Sequence, residues 1–225
     1  MLICDLHVHT NHSKDGESSV EEIIRAAEAA GLDAIAITDH DSVDGAKQAL
    51  LCETPVLVIP GIEVTTKQGH LLVLGVTELI PSGLDVLDTV ALARRMGAVL
   101  ILPHPYHVWR HGVARRKKAG MIAVDAVESF NSRYIVGSAN RKAARIALKL
   151  GKPCVGGSDA HNARFVGFGR TYVDAEKSVP AILDAIRAGN VTCGGKQTPL
   201  RTYTHQSLNN TWRKITRITR RMHLR

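Results

Sequence analysis

Cysteine is scarce. The four present among 225 residues (Cys4, Cys52, Cys154 and Cys193) form no CxxC pair. Cys4, Cys154 and Cys193 fall in or beside expected strands and read as small buried hydrophobes of a reducing compartment. No apolar run approaches the ~18 residues of a membrane span. Also missing are a G-x-G-x-x-G turn and a P-loop, the phosphate-binding turns of nucleotide-binding open sheets. The chain enters a strand by Leu2 with no basic and then apolar leader, so no signal peptide and a cytoplasmic location are expected. Acid is missing from residues 201–225, which carry seven basic residues: Arg201, Arg213, Lys214, Arg217, Arg220, Arg221 and Arg225. Those seven account for most of the net charge of +8, because residues 1–200 hold 22 basic against 21 acidic residues. The body is therefore balanced, and any polyanion argument applies to the tail.

What is present is a globular composition, 44% apolar and 22% charged, which excludes disorder and collagen. A chain of this length makes one large domain or two small ones, and hides roughly 70% of its unfolded surface without staples. Strands are expected at 2–9, 34–38, 56–64, 71–76, 98–102, 123–128, 154–157 and 171–173. Helices are expected at 20–30, capped by Ser18 or Ser19 and stopped by Gly31, and at 43–51, 84–96, 139–150 and 179–188. Alternating strands and helices at this spacing imply parallel strands with helices outside. About seven such units close a barrel, and an open doubly wound sheet is the alternative. The barrel is expected to span 1–200, and 201–225 to form a basic tail.

Eleven histidines stand in the chain, and their placement is ordered. His7 and His9 end the first strand two residues apart, so both rings share a face. Asp15 follows in the turn. His40 ends the second strand, Glu63 the third, and His70 opens its continuation. His104 ends the next in "LPHP", and Asp159 and His161 close "GGSDAH". In a β/α barrel the carboxyl ends of the strands meet at one rim, so these nine residues converge there. Buried carboxylates are costly unless paired or metal-bound, and mixed imidazole and carboxylate donors suit Zn, Mn or Fe. His12, His107, His111, His205 and His223 fit no strand end and read as surface or supporting residues. Asp39 and Asp41, flanking His40, suit supporting or helix-capping roles.

The segments "DLHVHTNHSKDG", "AITDHDS", "GIEVTT", "GHLLVLG", "LPHP", "VESFNSR" and "GGSDAH" together resemble the PHP (polymerase and histidinol phosphatase) family over about residues 2–200. The resemblance is strongest to its small stand-alone metal-dependent phosphoesterases. It implies a distorted (β/α)7 barrel with two or three metals at the rim. It also implies one site of His7, His9, Glu63 and Asp159, a second of Asp15, His40 and His161, and a third of Glu63, His70 and His104. The helical lobe that nucleotide-acting members often insert after the fourth strand is absent, since only about twenty residues separate His104 from Glu128.

Glu128, at the fifth strand end, is a candidate for a metal-supporting role. Arg133 and Arg164 are candidates for substrate phosphate, because a guanidinium fork matches phosphate oxygens. The run "WRHGVARRKKAG" reads either as a solvated face or as a segment that steers anions. The implied reaction is hydrolysis of a small phosphomonoester or nucleotide by a metal-bridging hydroxide. Alternatives are a nuclease or exonuclease acting on DNA or RNA, a histidinol-phosphate phosphatase, and a non-catalytic binding barrel. Trp212, Ile215, Ile218 and Met222 recur at helical spacing, so the tail reads as a docked helix, a free basic arm, or a nucleic-acid or anionic-membrane contact.

Overall fold

The computed structural model describes residues 1–106, 123–134 and 137–199. The basic run at 110–118, His107, His111 and the whole tail from 200 lie outside them. Among the described residues the strands are β1 (Leu2–Val8), β2 (Ala34–Ile37), β3 (Leu57–Thr65), β4 (His70–Leu74), β5 (Val99–Leu102), β6 (Ala126–Asn131), β7 (Cys154–Gly157), β8 (Gly169–Val173) and β9 (Val191–Gly195). The helices are α1 (Val20–Ala29), α2 (Asp44–Ala49), α3 (Val86–Arg95), α4 (Ser138–Leu150) and α5 (Val179–Ala188). None of them is long and apolar enough to cross a membrane.

Local chemistry sets the helix ends. Ser19 caps α1 in a reciprocal box with Glu22, and Gly31 beyond it takes φ 65°. Its buried residues Val20, Ile23, Ile24 and Ala27 form one stripe at helical spacing. Ser178 caps α5, and Gly189 ends it in the left-handed region. Helix α2 is shorter than the 43–51 expected, with Val43 at its N-cap and Leu50 at its C-cap.

The nine strands form one sheet in the order β7-β6-β5-β4-β3-β2-β1-β8-β9, which curls into a nearly closed barrel. Four neighbouring pairs are parallel, namely β1–β2, β2–β3, β5–β6 and β6–β7. The expectation of parallel strands throughout fails at β4 and β8. Strand β4 runs antiparallel to β3 and β5, and β8 runs antiparallel to β1 and β9. The cause is loop length. Thr66 and Gly69 close a tight turn (Thr66 N to Gly69 O, 2.8 Å), and a parallel return needs a dozen or more residues. This reversal brings His70, the first residue of β4, to the end where β3 finishes.

The barrel approaches closure where β8 and β1 meet β7 and the chain leaving it. Thr171 Oγ1 donates to Gly156 O and accepts from Gly156 N, both at 2.8 Å. Further up, Asp159 N donates to His7 O and His9 N to Ala160 O, again at 2.8 Å. The buried Asp5 carboxylate pins the same seam by accepting from Ser158 N at 2.9 Å and Gly167 N at 2.8 Å. Burial pushes the Asp5 carboxyl up to about 6.

Three apolar clusters fill the fold. Val8, Ile35, Ile37 and Val58 pack under α1 and α2; Val64, Val73, Leu100 and Val127 pack under α3 and α4. The third joins Leu6, Ile59, Leu72, Ile101, Val155 and Val173 to Ile182 and Ile186 of α5. Leu72 is 1% exposed within that cluster. Leu72→Ala is expected to cost about 2–5 kcal/mol, and to lower the melting temperature by roughly 5–15 °C in thermal unfolding.

Candidate metal centre

Seven of the nine candidate ligands sit at or just beyond the carboxyl end of a strand, while Asp15 lies in the turn after β1 and His70 opens β4. The registers of β1 and β6 shift between Asp5 and Val8 and between Glu128 and Phe130. Such bulges re-aim side chains, and these two lie on the strands that present His7 and Glu128. Asp41, His104 and Asp159 have positive φ of 53°, 28° and 52° although none is glycine. Backbone of this kind costs about 1–3 kcal/mol per residue and persists where its surroundings enforce it. All three lie at the same rim, and two of them are candidate ligands.

Glu63 is the centre. It is 1% exposed, and its two oxygens face different neighbours. Oε2 lies 3.2 Å from His7 Nε2, 3.3 Å from His9 Nε2 and 3.3 Å from His40 Nδ1. Oε1 lies 2.9 Å from His70 Nδ1 and 3.0 Å from His104 Nε2. His7 Nε2 and His9 Nε2 are 3.0 Å apart, and 3.8 and 3.5 Å from Asp159 Oδ1. On the other side Asp15 Oδ2 is 3.1 Å from His161 Nε2 and 3.9 Å from His40 Nε2. All nine residues singled out in the sequence therefore converge. Four overlapping groups have donor atoms within 4.8 Å of one another: His7, His9 and Glu63; His7, His104 and Asp159; His40, Glu63 and His70; and His9, His40 and His161.

This donor set fits transition ions. A tetrahedral ion with bonds of about 2.0–2.1 Å separates its donors by about 3.3 Å. The spacings among His7, His9 and Glu63, 3.0–3.3 Å, lie close to that value, and Asp159 Oδ1 stands 3.5–3.8 Å from the two rings. His40 Nδ1 is buried and makes no hydrogen bond, although Glu63 Oε2 is 3.3 Å away.

Proton affinities divide the imidazoles. Burial alone would lower His7 and His9. The carboxylates of Glu128, Asp159 and Glu63 outweigh it at His7 and hold that ring well above its ordinary value. At His9, Asp159 and Glu63 do the same, raising it to about 9. Burial wins at His40, which is held well below the ordinary range, and at His161, where burial and Arg133 lower it to about 3. Glu63 is held far down despite burial, by His40, His7 and His70.

Supporting residues complete the site. Glu128 stands behind His7, with Oε1 2.9 Å from Nδ1. Arg133 is buried and contacts His161 Nδ1 and Asp159 Oδ1. Arg164 is exposed on the loop after β7, where it contacts Asn162 and Phe165. Asp39 accepts from Thr10 N at 2.6 Å and Thr10 Oγ1 at 2.8 Å, fixing the turn after β1, and Asp41 accepts from Thr65 N at 2.7 Å. His12 is exposed, 2.8 Å from Gln48 Oε1.

Two contributors escape the sequence reading. Ser13 Oγ accepts from His40 N at 3.0 Å and donates to Asp15 Oδ1 at 3.2 Å. Asn131 Nδ2 donates to Glu128 Oε2 at 2.8 Å and Asp159 Oδ2 at 3.3 Å. The only signal for either was position, inside "HTNHSKDG" and "VESFNSR".

A barrel with so dense a donor cluster at one rim is the architecture of a candidate metal-binding protein of the PHP type. The chain belongs to the PHP family. Residues 5–106 match the PHP domain and 137–191 the PHP-associated region. An uncharacterized protein of Methanocaldococcus jannaschii is 32% identical over 157 residues, 64% of this chain and 91% of that protein. A phosphoribosyl 1,2-cyclic phosphate 1,2-diphosphodiesterase of Eggerthella lenta is 33% identical over 117 residues, 48% of this chain and 41% of the enzyme. In three dimensions the chain resembles a two-domain Bacteroides vulgatus protein containing a predicted PHP-like metal-dependent phosphoesterase. That likeness has a TM-score of 0.66 at 22% identity, covering 87% of this chain and 65% of that one.

Proposed function

We propose that the chain hydrolyses small phosphate esters, either phosphomonoesters or nucleotides, with two to three divalent transition ions (Mn, Zn or Fe) at the rim. His7, His9, Glu63 and Asp159 would hold one ion, Asp15, His40 and His161 a second, and Glu63, His70 and His104 a third. The observation that carries this reading is Glu63, whose two oxygens each face a separate set of imidazoles. A carboxylate can bridge ions in this way and a neutral imidazole cannot. When bound, such ions lower the pKa of water and neutralise charge on a phosphoryl group. The protein's own share is orientation. Arg133, packed against Asp159 and His161, would be the first candidate to meet a phosphate oxygen, with Arg164 further along the loop as the second.

Nucleic-acid phosphodiesters are a second reading, favoured by where the chain leaves the barrel. Thr198 N donates to Ser132 O at 2.8 Å and Ser132 Oγ to Ser158 O at 2.6 Å, one residue before Asp159. Thr198, three residues before the acid-free stretch, is thus anchored next to the chain that carries Asp159.

The test is turnover of a chromogenic phosphate monoester against a diester with added Mn, alongside elemental analysis of protein purified without chelator. Two to three ions per chain and faster monoester turnover are expected. Less than about one ion, with no uptake of Mn or Zn, refutes the reading.

A further inference from the structure

Behind the nine converging residues lies a carboxylate that faces none of the space between them. Glu128 is 1% exposed. Its Oε2 accepts from His104 N and from Asn131 Nδ2, each at 2.8 Å, while Oε1 lies 2.9 Å from His7 Nδ1. Strand β7 makes room for it, because a Cβ on Gly157 would stand 2.6 Å from Oε1.

We propose that Glu128 is a positioning residue that fixes which nitrogen His7 offers to an ion and ties that ring to His104. The inference rests on the metal reading above. A carboxylate only accepts hydrogen bonds. With two N–H donors on Oε2, Oε1 takes the His7 ring proton at Nδ1. The Nε2 lone pair then faces His9 Nε2, Glu63 Oε2 and Asp159 Oδ1, the other donors of the first proposed ion site. Through Oε2 the same carboxylate holds the His104 backbone at its φ of 28°, from which Nε2 reaches Glu63 Oε1 at 3.0 Å. His7 and His104 thus meet opposite oxygens of Glu63 in front and opposite oxygens of Glu128 behind. Asn131 extends the link to Asp159 Oδ2. Partners of this kind set tautomer and ring orientation in metal sites, and their loss typically costs about 10–100-fold in metal affinity.

Glu128→Gln separates this role from packing, since it preserves shape. The His104 and Asn131 donors keep the amide oxygen on their side, so the NH2 group turns to His7 Nδ1. That nitrogen must then accept, which moves the ring proton to Nε2 and takes the lone pair from the ion. Zinc-loaded wild-type protein is expected to show, by histidine-ring 15N NMR, a protected Nδ1–H that disappears in His7→Ala. Glu128→Gln should lose this signal and weaken zinc retention about 10–100-fold, with thermal unfolding within a few degrees of wild type. A variant with wild-type zinc affinity and an intact signal overturns the proposal. So does wild-type zinc protein in which His7 carries its proton on Nε2, a result that needs no folded variant. Wild-type protein that takes up no ion fails the metal reading itself.

Discussion

Glu63→Gln is expected to strip bound metal and to lower phosphoester turnover by more than about 100-fold, a larger loss than His70→Ala causes. Removing an outer partner of a ligand typically costs about 10–100-fold, so losing a shared ligand should exceed that range. The carboxylate meets His7, His9 and His40 through one oxygen and His70 and His104 through the other. Glutamine keeps one acceptor and puts an NH2 against imidazoles, so at least one group loses its anionic donor. His70 meets one oxygen at the edge of the cluster and is half-buried. Elemental analysis and monoester turnover of the two variants decide the matter. Equal or smaller loss in Glu63→Gln removes the bridging role.

The second large effect is proton-linked. Chelator-treated protein should lose stability as the pH rises from about 6.5 through 9, and the metal-loaded protein should not. His9 is raised to about 9, and His7 is raised as well. An imidazole with a raised folded pKa stabilises fully below its unfolded value of about 6.5, and that contribution disappears as pH rises through the folded pKa. With each pKa unit worth about 1.4 kcal/mol, the loss should reach a few kcal/mol. Ligand imidazoles are neutral, so metal removes this limb and its uptake at pH 7 releases protons. His40 and His161, already held neutral by burial, contribute no such protons. Urea unfolding between pH 6 and 9.5, with and without Mn, measures the first. Titration calorimetry in buffers of different ionisation enthalpy measures the second. A flat profile for metal-free protein contradicts the charge state inferred for His7 and His9.

Most of the donor residues were legible because they end strands, and a barrel gathers strand ends at one rim. The spacing of His7 and His9 was informative for the same reason, and their Nε2 atoms do meet at 3.0 Å. Strand direction was harder to read. The reversal at β4 was written in the short gap between Val64 and Leu71, but alternating apolar pattern carries no sign of direction. Strand β9 was read only as a neighbourhood of Cys193 and given no bounds, because "VTCGG" is short, glycine-rich and half-exposed; it exists through its pairing with β8 rather than through a pattern of its own. The roles of Glu128 and Asn131 could not be read at all. They depend on which oxygen faces which donor, and spacing along the chain does not encode that.

The seam between β1 and β7 makes the barrel a hoop whose clasp is the candidate ion-binding cluster. The main-chain bonds that fasten its upper part belong to His7, His9, Asp159 and Ala160, three of them candidate ligands. Holding an ion and keeping the hoop shut are therefore one structural event at this point. Any ion gripped by those side chains lends its binding energy to the fastening, by simple mass action. Occupancy would be recorded in amide hydrogen exchange at His9 and Asp159, with no substrate present.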